Sequence, residues 1–168
     1  MRRLLIGILI VLIVLSSLCV KKDMRSITIN NQTYAFNYNL FDIIKINVTD
    51  EKEIKSLIDE SKRICIDFDN STQDSDYFAV GGFNLVFRIT RFYYLEGEQK
   101  EVKVCKEEPK IFFVGPSTAN ETIVRLVNKT IIVEGTTADK FEMAVDRLSL
   151  VVLGVDKEIL EEIWLIKH

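Results

Sequence analysis

The fold class is decided by residues 122–154, which read TIVRLVNKTIIVEGTTADKFEMAVDRLSLVVLG. Two short β-branched runs flank Asn128 and Lys129, a pattern typical of a hairpin with a two-residue turn. Thr137 then stands where a helix N-cap is expected, apolar residues recur at helical spacing, and Gly154 suits a C-cap. The stretch therefore predicts two antiparallel strands followed by an amphipathic helix, as in an α+β domain.

Strand-like runs dominate the chain before this stretch. We predict strands at residues 26–30, 33–38, 43–48, 64–68, 78–80, 84–95, 100–105 and 111–114, from alternating or continuous apolar runs. The runs 84–95 and 100–105 read as a hairpin. A helix is predicted from Asp50, where Glu53 completes a capping box, and another from Asp156. We therefore expect one α+β domain with a mostly antiparallel sheet and about three packed helices.

The beginning of the chain is strongly apolar. Residues 4–20 read LLIGILIVLIVLSSLCV and extend roughly 25 Å as a helix, the low end of what crosses a hydrocarbon core. A pair of arginines precedes the run, which favours a cytoplasmic N-terminus. We therefore predict a single-pass membrane anchor or signal segment in residues 1–22, with the domain, residues 23–168, outside the cytoplasm. A cleaved signal peptide and lipidation of Cys19 are the alternatives.

Five Asn-x-Ser/Thr triplets lie on the C-terminal side of this segment. Nine asparagines and 19 serines and threonines in 168 residues predict about one such triplet by chance. The excess indicates a glycosylated, extracytoplasmic surface. The alternative is that asparagine and threonine simply cluster in turns. The predicted sites are Asn31, Asn47, Asn70, Asn120 and Asn128.

Two cysteines lie in strand-like runs of the domain. In an oxidising compartment Cys65 and Cys105 could pair, closing a loop worth about 3–4 kcal/mol by chain entropy. The alternative is two free, buried thiols that behave as small hydrophobes. A zinc site is not expected, because the chain has no Cys-x-x-Cys motif and its only histidine is His168.

The charge distribution argues against a nucleic-acid partner. The first 22 residues carry four basic side chains and no acidic one, which leaves 18 basic and 25 acidic side chains, a net of −7, in the domain. Binding to DNA or RNA depends largely on cations that meet phosphates. A nucleic-acid partner is therefore not expected. The expected partners are the membrane, through residues 4–20, and another envelope protein.

The segment 67–76 concentrates carboxylates. Oxygen ligands at this density are typical of a calcium site, and the segment begins with the spacing of an EF-hand loop. The pattern then departs from that loop, because Thr72 replaces the glycine and Phe78 replaces the bidentate glutamate. A solvated acidic loop is the alternative. The calcium-ligand candidates are Asp67, Asp69, Asp74 and Asp76.

No catalytic set stands out. Nucleophilic hydrolysis needs a serine or cysteine beside a base, and the only histidine is the last residue. Paired acids such as Asp67 and Asp69 leave a hydrolase with an acidic site as a further alternative. Phe83, Phe87 and the aromatic run 92–94 are predicted to lie mostly in the sheet core, with Tyr93 as the one candidate for an exposed contact.

Residues 111–155 resemble the C-terminal region of archaeal surface-layer-like and membrane-anchored envelope proteins. The shared features are an apolar strand ending in Gly-Pro, an Asn-bearing loop, a hairpin ending in Gly-x-Thr, and a helix with Ala-x-Asp-Arg/Lys. They correspond here to Gly115-Pro116, Asn120, Gly135-Thr136 and residues 144–148. The resemblance implies an archaeal cell envelope and brings no catalytic residues.

We therefore expect a membrane-anchored envelope protein with a non-enzymatic structural or interaction role and no cofactor. A ligand- or calcium-binding sensor domain and the acidic hydrolase are the alternatives.

Overall fold

The computed structural model describes residues 23–69 and 72–167. The predicted membrane or signal segment in residues 1–22 and the predicted glycosylation site at Asn70 lie outside this part of the chain. Within it, no helix is both long enough and apolar enough to cross a membrane.

The described residues form an α+β domain with eight strands, five α-helices and a short 3-10 helix at Thr72–Asp74, so the predicted α+β class is confirmed, with five helices in place of about three. The strands are β1 (Ser26–Ile29), β2 (Gln32–Ala35), β3 (Asn47–Val48), β4 (Arg63–Phe68), β5 (Glu101–Val104), β6 (Lys110–Val114), β7 (Ile123–Val127) and β8 (Thr130–Glu134). The helices are α1 (Leu40–Ile43), α2 (Glu51–Glu60), α3 (Ser75–Leu95), α4 (Ala138–Val152) and α5 (Lys157–Lys167).

The main sheet is mixed and largely parallel. Its six strands lie in the order β3-β7-β8-β6-β4-β5, and of the adjacent pairs only β7 and β8 run antiparallel. Strands β1 and β2 form a separate antiparallel hairpin. The prediction of a mostly antiparallel sheet is therefore wrong. A long helix, rather than a strand, connects β4 to β5, so that β5 returns in the direction of β4.

Helix α3 replaces the strands predicted at residues 78–80 and 84–95. Its buried positions follow helical spacing and are Phe78, Gly81, Leu85, Arg88, Ile89 and Tyr93. A Cβ atom at Gly81 would lie 3.0 Å from the Phe141 ring, so this glycine permits close packing against α4. Because a glycine and an arginine occupy two of the buried positions, the helical stripe does not show as an apolar pattern.

The core lies between one face of the sheet and helices α2, α3 and α4. Phe113 of β6 packs with its ring 5.4 Å from that of Phe141 in α4, and Phe78 of α3 completes the aromatic cluster. A second apolar layer covers the other side of α4, where Leu150 packs with residues of the hairpin, α1 and α5. Helix α4 is therefore buried on nearly all sides.

The predicted turns at Asn30-Asn31 and Asn128-Lys129 and most predicted caps are confirmed, whereas the hairpin predicted from 84–95 and 100–105 does not form because 84–95 belongs to helix α3. Asn30, Asn31 and Asn128 have positive φ values of 50°, 60° and 55°, as two-residue hairpin turns require. The Thr137 side chain accepts a hydrogen bond from the Lys140 amide at the start of α4. Asp50 makes no side-chain cap on α2, so the predicted capping box does not form.

Candidate functional site

The structure does not bring the predicted calcium ligands together. The Asp67 carboxylate lies 2.9 Å from Lys110 Nζ, and Asp69 accepts a hydrogen bond from the Thr118 hydroxyl. Among residues 23–69 and 72–167, no three side chains of the metal-binding types form a group. The carboxylates at 67 and 69 are therefore engaged in separate contacts, which also gives no support to a shared acidic hydrolase site.

Asp74 has a structural role in the same region. It is buried and accepts hydrogen bonds from the backbone N–H, at 3.0 Å, and the hydroxyl of Ser117. A Cβ at Gly115 would lie only 2.5 Å from Asp74 Cγ, so the glycine permits this approach. Asp76, in the first turn of α3, is exposed. The acidic segment thus fastens the start of α3 to the loop after β6.

The predicted glycosylation sites within the described residues are all exposed. Asn31 and Asn128 occupy tight turns with positive φ, so turn geometry alone also favours asparagine there. Asn47 lies on the edge strand β3 and Asn120 on the loop between β6 and β7. Their exposure leaves these four amides accessible to modification.

Two charged residues from the 144–148 motif are buried and tie helices together. Asp146 forms an ion pair with Arg88 of α3, and Arg147 lies 2.7 Å from Glu51 of α2. Burial raises the pKa of the Asp146 carboxyl, and the Arg88 guanidinium opposes this shift. The motif therefore joins α4 to its two neighbours and forms no open site.

An apolar groove of about 500 Å³ opens between α3 and the edge of the sheet. Helix α3 forms one wall and strands β4 and β5 form the other. Polar groups are few, and Asp69, Ser75 and Lys103 supply them. The apolar lining includes Phe68, Phe78, Phe83, Val86, Val102 and Val104. A groove of this size and composition is suited to binding an apolar ligand or segment.

Large apolar side chains are exposed along the rim of the groove. Phe83 is 72% exposed, Phe87 51% and Val104 72%. The Phe83 and Phe87 rings stack with centroids 6.5 Å apart, one helical turn from each other on α3. Exposed apolar clusters of this kind mark interaction surfaces.

The aromatic predictions are therefore reversed in this helix. Phe83 and Phe87 were expected in a sheet core, yet they lie on the outer surface of a helix. Tyr93, expected as the exposed contact, is buried and donates a hydrogen bond to Asp59, and burial raises the pKa of its hydroxyl. With residues 75–95 placed on a helical wheel, Val80, Phe83 and Phe87 form a second apolar stripe, which is the signal that could have revealed this surface.

Strand β5 presents an unpaired edge beside the groove. The Glu101 amide donates to the Lys62 carbonyl at 3.0 Å, and the Cys105 amide donates to the Ile66 carbonyl at 3.1 Å. In a parallel ladder alternate residues face the neighbouring strand, so Val102 and Val104 point their N–H and C=O groups outward. No strand of the described residues pairs with this side of β5.

A disulfide between Cys65 and Cys105 holds this edge in place, with the two Cα atoms 5.0 Å apart. Cys65 lies within β4, and Cys105 directly follows β5. The bond therefore fixes the end of the edge strand to its neighbour.

The chain matches no known family model, no curated protein and no solved structure. The resemblance of residues 111–155 to archaeal envelope proteins therefore stays a prediction. The groove, its aromatic rim and the open strand edge are the features from which a function can be argued.

Proposed function

We propose that this protein is a non-enzymatic envelope protein whose domain binds a protein partner in the groove between α3 and β5. The observation that carries the proposal is the conjunction of an apolar groove with an unpaired strand edge. Extended segments bind in such places by adding a strand, where main-chain hydrogen bonds give affinity and side-chain pockets give specificity.

The setting we propose is the outer side of a membrane. The apolar run 4–20 supports an anchor with a cytoplasmic N-terminus, and the five sequons support an extracytoplasmic domain. The resemblance of residues 111–155 supports an archaeal envelope. None of the sequons falls within α3 or β5.

Site-specific photo-crosslinking tests the proposed binding surface. A photoreactive phenylalanine analogue replaces Phe83 in the full chain in its native membrane, and the matched control carries the analogue at Leu165, which is 68% exposed on α5. We expect a protein adduct from position 83 and none from position 165. Adducts with lipid alone, or equal yields from both positions, would contradict the proposal.

Mass spectrometry of the intact protein tests the proposed setting separately. We expect the protein in the membrane fraction, with added glycan mass on exposed asparagines such as Asn128. A protein recovered from the cytosol with every sequon unmodified would contradict the extracytoplasmic placement.

A further inference from the structure

We infer that the partner in the groove is a second copy of this chain, which pairs its β5 antiparallel to the first β5 about a two-fold axis. The inference rests on the proposed binding function of the groove and names its occupant. The pairing would join the two six-stranded sheets into one continuous sheet.

The backbone of β5 is arranged for such a pairing. Val102 and Val104 point their N–H and C=O groups away from β4, on the free side of the strand. When Val102 lies opposite Val102 of the second copy, each residue donates to and accepts from the other, as in the hydrogen-bonded pairs of an antiparallel ladder. A two-fold axis requires such a self-complementary contact.

The charges of β5 select this register. With Val102 on the axis, Glu101 lies opposite Lys103 of the second copy, and the symmetry repeats this pair of opposite charges. A shift that places Glu101 on the axis opposes two glutamates, and one that places Lys103 there opposes two lysines. Opposite charges on facing strands stabilise a pair and like charges destabilise it, so one of the three registers is favoured.

The apolar surface fits the same arrangement. The Val102 and Val104 side chains line the groove on the helix side of the sheet, and Phe83 lines the same groove from α3. Two strands paired on the axis would bring the exposed Phe83 and Phe87 stripes of the two copies together above them. Burying such side chains is the main favourable term in protein association.

The self-complementary charges of Glu101 and Lys103 favour a second copy, and three further observations favour strand pairing at β5 over contact with a bilayer or pairing at the opposite edge. The domain carries a net charge of −7, which opposes contact with an anionic bilayer. The disulfide fixes β5 before binding, which lowers the entropy cost of pairing. The opposite edge of the sheet, β3, is only two residues long and carries the sequon residue Asn47, so it offers little for strand addition.

Charge reversal in the full chain tests the inference. Mass photometry of the protein in detergent micelles gives the fraction of dimer as a function of concentration. We expect Lys103→Glu and Glu101→Lys each to weaken self-association about tenfold, because each places like charges opposite one another twice. The double variant Glu101→Lys with Lys103→Glu restores opposite charges and should restore the dimer.

A loss of the dimer must be distinguished from a loss of folding in the charge variants. Glu101 accepts a hydrogen bond from Arg63 of β4, and Glu101→Lys removes this bond whereas Lys103→Glu keeps it. If Glu101→Lys proves unstable, the comparison of Lys103→Glu with the wild-type chain remains the test. A wild-type chain that stays monomeric, or a dimer indifferent to all three charge variants, would overturn the inference. If position 83 still crosslinks to another protein in that case, the groove retains its binding function and only its occupant is wrong.

Discussion

Cys65 of β4 and Cys105, the residue after β5, are joined by a disulfide across Cα atoms 5.0 Å apart. Strands β5 and β6 lie on opposite sides of β4, so the five residues 105–109 must cross β4 to connect them. The Cys65 amide donates to the Pro109 carbonyl at 3.0 Å at the end of this crossing. The disulfide thus anchors the short connection and the edge strand at the same point.

The first prediction concerns this bond. Replacing Cys65 and Cys105 by alanine should lower the free energy of unfolding by about 4 kcal/mol, because the unfolded chain regains the freedom of a 40-residue loop. Denaturant unfolding of the full chain in detergent measures the change, and Cys19→Ala serves as the control. An unfolding free energy unchanged from that of the control would contradict the structural role of the bond.

The second prediction separates two neighbouring glycines. A Cβ at Gly82 would meet the Phe113 ring at an ordinary 3.7 Å, so Gly82→Ala should stabilise by about 0.5–1 kcal/mol through helix propensity. A Cβ at Gly81 would lie 3.0 Å from Phe141 and 3.3 Å from Val145. Gly81→Ala should therefore be less stable than Gly82→Ala by about 1–3 kcal/mol. Thermal unfolding checks the order, and the reverse order would contradict the packing of α3 on α4.

The third prediction concerns the buried ion pair between Arg88 and Asp146. Arg88→Met should cost about 3–5 kcal/mol, because it leaves the Asp146 carboxylate buried without its cation. Arg91→Met, on the same helix but less buried, should cost only about 0–1 kcal/mol. Adding Asp146→Leu to Arg88→Met should recover much of the loss. A double-mutant cycle by denaturant unfolding measures the coupling energy between the two residues. If the two substitutions changed the free energy of unfolding additively, the predicted coupling would be contradicted.

The fourth prediction concerns the pH dependence of self-association. Arg63, hydrogen-bonded to Glu101, lowers the pKa of that carboxyl below 4.5, and Lys103 on the same face adds to the shift, while Glu107 contacts Arg63. The free folded chain already has this lowered pKa, and the facing Lys103 of the second copy lowers it further. The contribution of a charged Glu101 to the dimer is therefore present above the pKa of the free chain and is lost as the pH falls through the still lower pKa in the dimer. Dimer stability measured by dilution should fall in that window.

Glu101→Gln provides the control for this prediction. The variant should be weaker than wild type above pH 4.5, and its self-association should show a smaller change on acidification. A variant whose pH profile matches that of wild type would show that other groups determine the dependence.

The sequence predicted the elements whose local signals agree with their tertiary setting. The turn at Asn128 and the cap at Thr137 are set by backbone geometry within a few residues, and both were identified. Helix α3 was missed because its buried stripe includes Gly81 and Arg88, which fit only against α4. The misassigned helix also hid the parallel pairing of β5 with β4, one of the four parallel pairs in the sheet.

The groove could not be predicted for the same reason. Phe83 and Val104 are 21 residues apart, and only the helical conformation of α3 brings them to one surface. Conversely, Asp67 and Asp69 looked like a shared site because they are close in sequence. Lys110 and Thr118, which engage them, come from β6 and the loop after it.

Residue-resolved amide hydrogen exchange of the full chain tests the central claim most directly. The Lys103 amide points toward β4, whereas the Val102 and Val104 amides point to the free edge of β5. If a second copy occupies this edge, the Val102 amide should exchange nearly as slowly as that of Lys103 at high protein concentration. It should become fast in the Lys103→Glu variant. Fast exchange at Val102 and Val104 in a wild-type chain whose Lys103 amide remains protected would contradict the account.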